Sequence, residues 1–386
     1  MPKRAPDGSG SISKRSDDLW QGKVSVGIDP GTGKPKYKYH SSKSQKEVRE
    51  WVRKTTAAVD NSTYSEPSRM TVAQWLDVWL AEYLDAVKPA TAYSYKTKAK
   101  LHIKPALGAV KLQKLKPHHV QTFCNSLFRE KNLSPKSVKC IHGVFHTALK
   151  QAVKNGLILT NPADGTTLPR IEKPEIETLP IEKISAFIEQ TASHKYGAIY
   201  FLTLFTGMRQ SEVLGLTWDC IDFEKGTILV RRQLIKDRLI SEYTLQTLKN
   251  DKPRTVTPAR AVMQRLWLHR RQQHEQQEQA GELWDNPMNL VFTNPIGGHL
   301  VHLTVYKHYK ALVAEMGIPD MRFHDLRHTY AVNALQSGDD IKTVQGNLGH
   351  HTAAFTLDTY GHVTEEMKQA SADRMEQFIQ THAKTG

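Results

Sequence analysis

The pattern of apolar and polar positions changes several times along the 386-residue chain. Near the amino terminus, residues 19–28 alternate between apolar and polar, residues 29–33 are rich in turn formers, and residues 36–39 alternate again. This pattern predicts a β-hairpin. Ser44 and Glu47 then have the spacing of a helix amino-terminal cap, which predicts a helix lying across the small sheet.

From residue 71 the apolar positions recur every three to four residues, which predicts a helical region. Thr71 and Gln74 have capping-box spacing, and Pro89, Pro117 and Pro135 mark ends or starts of helices. The Trp and Tyr residues here stand beside Leu and Val at helical spacing, so we interpret them as core rather than as platforms for nucleic-acid bases. The region is predicted to be a compact four-helix unit.

Four prolines between 161 and 180 interrupt any helix or strand, so this segment is predicted to be an extended linker. Beyond it the pattern predicts a helix, two strands and further helices, in the order 181–205, 227–235, 254–257 and from 259 onward. Length alone favours two or three domains. The predicted fold class is therefore mainly α with small β elements (α+β).

The chain is strongly basic, with 53 Lys and Arg against 39 Asp and Glu and a net charge of +14. Residues 1–60 alone hold 13 basic and 7 acidic side chains. Such a field attracts a polyanion, most commonly nucleic acid, although a solvated basic surface is the plainer alternative. Candidate DNA-binding lysines lie in the hairpin and the helical region: Lys23, Lys36, Lys38, Lys96, Lys98, Lys100 and Lys139.

Cysteine usage and hydropathy predict a soluble intracellular protein. The three cysteines, Cys124, Cys140 and Cys220, form no CxxC pair, so neither a disulfide framework nor a zinc knuckle is indicated. The longest apolar stretch, 198–205, is too short to cross a membrane, and the amino terminus lacks the apolar core of a secretory signal.

Candidate chemistry lies in the last part of the chain. In TGMRQSE, residues 206–212, a glycine interrupts an apolar helix and Arg209 follows where a new helix begins, which favours anion binding, although a structural salt bridge is the alternative. In FHDLRHT, helical spacing places His324, Arg327 and His328 on one face. The two histidines imitate a zinc pair, but Asp325 replaces the required Glu and no third ligand is evident, so no metal is predicted.

A third candidate segment contains His350 and Tyr360. If 350–360 were one straight helix, the two residues would be ~15 Å apart along its axis. A break near His351 and Thr352, or delivery of Tyr360 from another subunit, is therefore needed to bring them together.

In combination, Arg209, His324, Arg327, His350 and Tyr360 resemble the signature of the tyrosine recombinases, the phage integrase family. The likeness covers nearly the whole chain and is strongest to integrases of conjugative transposons. It implies an arm-binding three-stranded sheet with a helix (1–66), a helical core-binding domain (67–160), a linker (161–180), and a mixed α/β catalytic domain with a tail helix (181–386). It also implies a catalytic lysine on a β-hairpin, for which Lys249 fits best and Lys252 is the alternative. The segment 233–247 is longer than the simplest family pattern, which leaves the register of that hairpin open.

The resemblance implies a role for each residue. Arg209 and Arg327 would grip the non-bridging phosphate oxygens, and Tyr360 would attack the phosphorus. His324 would take the phenol proton, His350 would donate to a phosphate oxygen, and Lys249 would protonate the departing 5′-hydroxyl. The product would be a 3′-phosphotyrosine bond, which a second 5′-hydroxyl can reverse. No metal and no cofactor are expected.

The implied partners are double-stranded DNA at core and arm sites, further copies of the chain in a tetramer with tail-helix exchange, and accessory excision or DNA-bending proteins. No membrane partner is implied. A cytoplasmic, nucleoid-associated protein of a bacterium or phage that integrates and excises a mobile element through a Holliday junction is expected. A type IB topoisomerase shares the chemistry and is the alternative, followed by a catalytically inactive DNA-binding protein and a zinc hydrolase.

Overall fold

A computed structural model describes residues 10–29, 31–61, 68–172, 177–237, 242–248, 252–349, 352 and 365–382. The chain forms two compact units, Met1–Glu172 and Lys173–Gly386. The boundary between them lies inside the segment 161–180 that the sequence predicts to be a linker.

The first unit begins with an antiparallel sheet in the order β1-β2-β3, formed by Ser11–Lys14, Trp20–Ile28 and Pro35–Ser42. Helix α1 (Gln45–Asp60) packs on this sheet, where Val24, Val48 and Val52 form its small core. The Ser44 hydroxyl caps α1 by accepting from the Glu47 amide at 3.4 Å. The predicted hairpin and helix are confirmed, and β1 completes the three-stranded sheet that the resemblance implies.

Five helices follow, formed by Val72–Glu82 (α2), Pro89–Lys98 (α3), Lys104–Leu107 (α4), Pro117–Arg129 (α5) and Pro135–Lys154 (α6). The predicted capping box is present, with Gln74 N donating to Thr71 Oγ1 at 3.3 Å and Thr71 N donating to Gln74 Oε1 at 2.9 Å. Trp75 and Trp79 are buried, and Trp75 Nε1 donates to the Ala148 carbonyl at 2.9 Å. Both tryptophans are therefore core residues, as predicted.

Helix α3, which begins at Pro89, continues through a π-helical turn at Ala99–Ile103 into α4. Ala99, Ile103 and Leu107 are all buried. They are spaced four residues apart, and the wider π turn keeps this spacing on one face better than 3.6 residues per turn would.

Residues 161–168, assigned by the sequence to the linker, pack against α5 and α6. Gln121 exchanges two hydrogen bonds with the Thr167 backbone, at 2.8 and 2.9 Å, and a His142 ring nitrogen lies 3.1 Å from the Ala163 carbonyl. Ala163 is buried. Proline content predicted an irregular backbone here but not this side-chain anchoring.

In the ranges 177–237, 242–248 and 252–349, the second unit contains seven α-helices: Ile181–Ser193 (α7), Gly197–Thr206 (α8), Gln210–Leu214 (α9), Arg260–Ala280 (α10), His302–Glu315 (α11), Asp325–Gln336 (α12) and Ile341–Leu348 (α13). Its strands are Ile221–Asp222 (β4), Thr227–Val230 (β5), Arg232–Lys236 (β6), Tyr243–Thr247 (β7) and Arg254–Val256 (β8). They form a sheet in the order β4-β5-β8 and a separate β6-β7 hairpin. Helix α8 is the central helix, with Ile199, Tyr200 and Leu202 fully enclosed in the core.

Two elements predicted as continuous are divided. The predicted helix 181–205 is two helices, because His194 has an extended backbone after α7. The predicted strand 227–235 is two strands in different sheets, separated at Arg231. An apolar run identifies buried positions but not a change of direction between them.

A tail helix, Glu365–His382, lies near the carboxyl end, as the sequence predicts. Within the described part of the chain, the helices are too short or too polar to cross a membrane.

Candidate active site

The turn between α8 and α9 positions Arg209. Gly207 ends α8 in the left-handed conformation with φ +64°, and Arg209 is the amino-terminal cap residue of α9. A Cβ atom on Gly207 would lie 2.5 Å from Tyr330 Cδ1 and 2.7 Å from Leu348 Cδ2. The turn therefore packs so closely against α12 and α13 that only glycine fits.

Glu212 fixes the Arg209 side chain. Arg209 Nη1 donates to Glu212 Oε1 at 2.7 Å, and the Arg209 backbone amide donates to Glu212 Oε2 at 2.9 Å. Glu212 is buried, whereas the Arg209 side chain remains 27% exposed. The salt bridge that the sequence offered as an alternative interpretation is thus present, and it holds a guanidinium that still reaches the surface.

A second arginine, Arg254 of β8, contacts the same carboxylate. Its Nη1 and Nη2 donate to Glu212 Oε1 and Oε2 at 3.1 and 2.7 Å. Burial by itself would raise the pKa of Glu212, but the hydrogen bonds and charge of Arg254, and then the charge of Arg209, lower it to about 2. Glu212 is therefore ionised at every physiological pH.

Arg327, on the first turn of α12, is almost completely buried. Its Nη1 donates to the Gly207 carbonyl, and its Nη2 donates to the Leu348 carbonyl at 2.6 Å. One guanidinium thus joins the turn that precedes Arg209 to the end of α13. These bonds tie together segments that are 120 and 21 residues away from Arg327.

His324 precedes α12 and is exposed to solvent. The pKa of His324 is lowered to about 4, first by desolvation of the ring and next by His328, whose ring centroid is 4.9 Å away. The positive charges of Arg327 and Arg209 act in the same direction. His324 is therefore neutral near pH 7, and its ring can accept a hydrogen bond.

Asp325, which stands where a zinc protease has its Glu, is fully buried in an ion pair with Arg322. Arg322 Nη2 donates to Asp325 Oδ1 at 2.8 Å, and the Arg322 amide donates to Oδ2 at 2.6 Å. Among the described residues, no three or more His, Cys, Asp or Glu side chains are grouped so that they could hold a metal ion.

The β6-β7 hairpin lies beside α9. Its register pairs Arg232 with Thr247 and Lys236 with Tyr243, and Ser211 Oγ donates to Gln233 Oε1 at 3.2 Å. The strand pairing within 233–247, which the sequence left open, is therefore defined, whereas Lys249 follows this hairpin and lies outside the described residues.

The sequence-predicted site residues fall into two groups. Arg209, His324 and Arg327 share one site. Lys249, His350 and Tyr360 lie outside the described residues, whereas Lys252, the alternative to Lys249, is exposed. Sequence reasoning did not assign a role to Arg254, since it predicted only a strand there. The available signal in the sequence was that the predicted strand 254–257 contains a single arginine.

Residues 175–367 match the phage integrase family, and residues 71–128 match the SAM-like N-terminal domain of phage integrases. Among full-length relatives, a tyrosine recombinase XerC-like protein of Caldanaerobacter subterraneus subsp. tengcongensis is 29% identical and covers 94% of this chain and 97% of its own length. The ICEBs1 integrase of Bacillus subtilis is 22% identical over 96% of this chain and all of its own length (100%).

Solved structures show the same fold. The Tn1549 transposon integrase in complex with a circular intermediate DNA has a TM-score of 0.68 at 21% identity, covering 79% of this chain and 99% of that one. The lambda integrase tetramer bound to a Holliday junction has a TM-score of 0.52 at 16% identity, covering 91% and 97%.

The family match, the full-length relatives and the fold define a tyrosine-type site-specific recombinase. The family match spans half of the 386 residues, and the chain belongs to the phage integrase family. Its activity is the site-specific recombination by which such enzymes integrate mobile elements.

Proposed function

We propose that this recombinase cuts and rejoins double-stranded DNA through a covalent 3′-phosphotyrosine intermediate, with Tyr360 as the nucleophile. The observation that carries the proposal is that Arg209 shares one site with His324 and Arg327, which lie more than a hundred residues further along the chain, and that both arginine charges act on the histidine. Two guanidinium groups beside a proton acceptor suit phosphoryl transfer by a phenol.

The arginines would stabilise the transition state. As Tyr360 attacks phosphorus, the charge on the non-bridging oxygens increases, and guanidinium forks hold such oxygens better than single ammonium groups do. Arg327 is oriented for this role by two backbone carbonyls, and Arg209 is oriented by Glu212.

Proton transfer completes the step. The Tyr360 phenol has an ordinary pKa near ~10 and must lose its proton as the new P–O bond forms. Neutral His324 would take that proton, His350 would donate to a phosphate oxygen, and Lys249 would give a proton to the 5′-oxygen as its bond to phosphorus breaks. A 5′-hydroxyl from another strand then attacks the phosphotyrosine and restores the phosphodiester, which passes the DNA through a Holliday junction.

The amino-terminal sheet is proposed to bind arm sites and the helical unit core sites, with domain limits of 1–66, 67–160 and 181–386 around the 161–180 linker. In support, β2 and β3 present Lys23, Tyr37 and Tyr39 on the face opposite the buried Val24, and Lys23 Nζ lies 3.8 Å from the Tyr37 ring centre. Lys38 pairs with Val24 and lies on the other face, which makes it the weaker candidate of the hairpin.

The remaining candidate lysines, Lys36, Lys96, Lys98, Lys100 and Lys139, are exposed or half-buried and suit phosphate contacts.

Assembly into a tetramer on DNA is proposed to use the tail helix. Its Met375, Phe378 and Ile379 side chains are each at least half exposed, which suits docking on a neighbouring copy. Accessory excision or DNA-bending proteins are proposed as further partners, because recombination of this class joins DNA sites that must be brought together.

Trapping on a nicked suicide substrate tests the nucleophile. The unaltered protein should form a covalent DNA adduct that maps to the peptide containing Tyr360, whereas Tyr360→Phe should bind DNA with unchanged affinity and form none. Tyr306→Phe, in the same unit, is the matched control and should form the adduct. An adduct on another side chain, or strand cleavage without attachment, would contradict the proposal.

A further inference from the structure

We propose that Arg254 is a positioning residue of the DNA-cleaving site, which fixes the carboxylate that orients Arg209 and also holds the end of the helix that leads to His350. The inference rests on the proposed function and adds a residue to it. Arg254 itself is not placed against the phosphate, so its effect on cleavage would be transmitted through Glu212 and through helix α13.

The position of Arg254 is fixed by the sheet. It pairs with Val230 of the neighbouring strand β5, and its side chain is only 9% exposed. All three side-chain nitrogens of Arg254 donate hydrogen bonds. Nη1 and Nη2 donate to Glu212, and Nε donates to the Asn347 carbonyl at 2.7 Å. A planar fork with a third donor on its side can make these contacts, and lysine cannot.

The contact with Asn347 supports the last turn of α13. Carbonyl groups in the last turn of a helix lack partners within the helix. Here Arg254 binds the carbonyl of Asn347, and Arg327 binds the next one, that of Leu348. Two arginines therefore hold successive carbonyls directly before Gly349 and His350.

Gly349 allows this approach. It has φ +64° as the carboxyl-terminal cap of α13, and a Cβ atom there would lie 3.1 Å from both Cδ and Nη1 of Arg254. Gly349, the residue before His350 in the sequence, thus lies directly against the Arg254 side chain.

Charge gives Arg254 a second effect. Glu212 supplies one negative charge, and Arg209 and Arg254 supply two positive charges, so the cluster retains one positive charge for an anionic substrate. Without Arg254, the buried carboxylate would have Arg209 as its sole arginine partner in this cluster. Arg209 would then be drawn to Glu212 and its charge neutralised, which weakens its grip on a phosphate.

A purely structural role predicts something different. In that case, loss of Arg254 would lower stability but leave the cleavage rate of the folded protein unchanged. Arg265 provides the matched control, because its Nη2 donates at 2.8 Å to the carbonyls of Thr191 and Ala192 at the end of α7. Arg265 supports a helix end as Arg254 does, but it has no link to Glu212.

The experiment measures the single-turnover rate of adduct formation on nicked DNA at saturating concentration, together with the melting temperature. Arg254→Met should lower the rate about tenfold or more, whereas Arg265→Met should change it by less than about threefold. Adding Glu212→Gln to Arg254→Met should restore about threefold or more, because a neutral amide no longer competes for the Arg209 charge. Arg254→Lys should be slower than the unaltered protein, because it keeps the charge but loses the fork.

Each outcome bears on the inference. Arg254→Met or Arg254→Lys at the unaltered rate would overturn it, as would a double variant no faster than Arg254→Met. If Arg254→Met fails to fold, the double variant and Arg254→Lys test the inference instead. The cleavage rate of each is then compared with that of Arg265→Met. Absence of an adduct with the unaltered protein would instead contradict the proposed function itself.

Discussion

Glu212 is expected to make the stability of the second unit depend on pH, and Glu212→Gln tests this. Its carboxylate accepts hydrogen bonds from Arg209 and Arg254 and is 2% exposed. Its pKa is about 2 in the folded protein, against an ordinary value of 4.5. That difference corresponds to about 3 kcal/mol of stability at neutral pH.

The direction of the effect follows from the lowered pKa. Because the folded protein binds the proton more weakly than the unfolded chain, the contribution is fully present above pH 4.5 and is lost as the pH falls towards 2. Glu212→Gln should therefore be less stable than the unaltered protein by about 3 kcal/mol at pH 7, or roughly 6–12 °C in melting temperature. This gap in stability between Glu212→Gln and the unaltered protein should narrow below pH 4.5.

Thermal unfolding followed by calorimetry between pH 7 and pH 3 measures this gap. Glu189→Gln, an exposed position on α7 of the same unit, is the matched control and should give a gap near zero at every pH. A gap for Glu212→Gln that stays constant across this range would refute the reasoning, because it would mean that the ionised carboxylate is not what stabilises the fold.

Three further predictions concern the phosphate contacts proposed for Arg209, the turn at Gly207 and the amino-terminal sheet. Arg209→Lys should lose roughly 2–4 kcal/mol of transition-state stabilisation, measured as a slower single-turnover cleavage rate. An unchanged rate would count against a bidentate phosphate contact by Arg209. Gly207→Ala should lower the free energy of unfolding by roughly 2–4 kcal/mol, because Gly207 has a positive φ and a Cβ atom there would clash with Tyr330. Gly226 has φ +66° and open space around it, so Gly226→Ala should show the conformational cost alone. Equal losses of stability for the two variants in denaturant titrations would contradict the packing argument. Deleting residues 1–66 should abolish binding to arm sites in gel-shift assays while cleavage at core sites persists; loss of core cleavage would contradict that division of labour.

Local patterns were sufficient for much of the helical structure. The α2 capping box and the starts of α5 and α6 at Pro117 and Pro135 were predicted correctly because each depends on residues within one turn. The π-helical turn at Ala99–Ile103 was not predicted, since it depends on which face the core requires. The division of 227–235 between two sheets was also missed, because pairing partners lie far away in sequence.

The sequence by itself determined the family, the helix boundaries set by caps and prolines, and the candidate chemistry of Arg209, His324 and Arg327, because these depend on residue type and spacing. Only the tertiary structure decided which partners hold these side chains in place. Glu212 and Arg254 are 42 residues apart, and Arg327 and Gly207 are 120 apart. Whether a charged side chain finds a partner depends on which elements pack together, and sequence spacing carries no record of such long-range contacts.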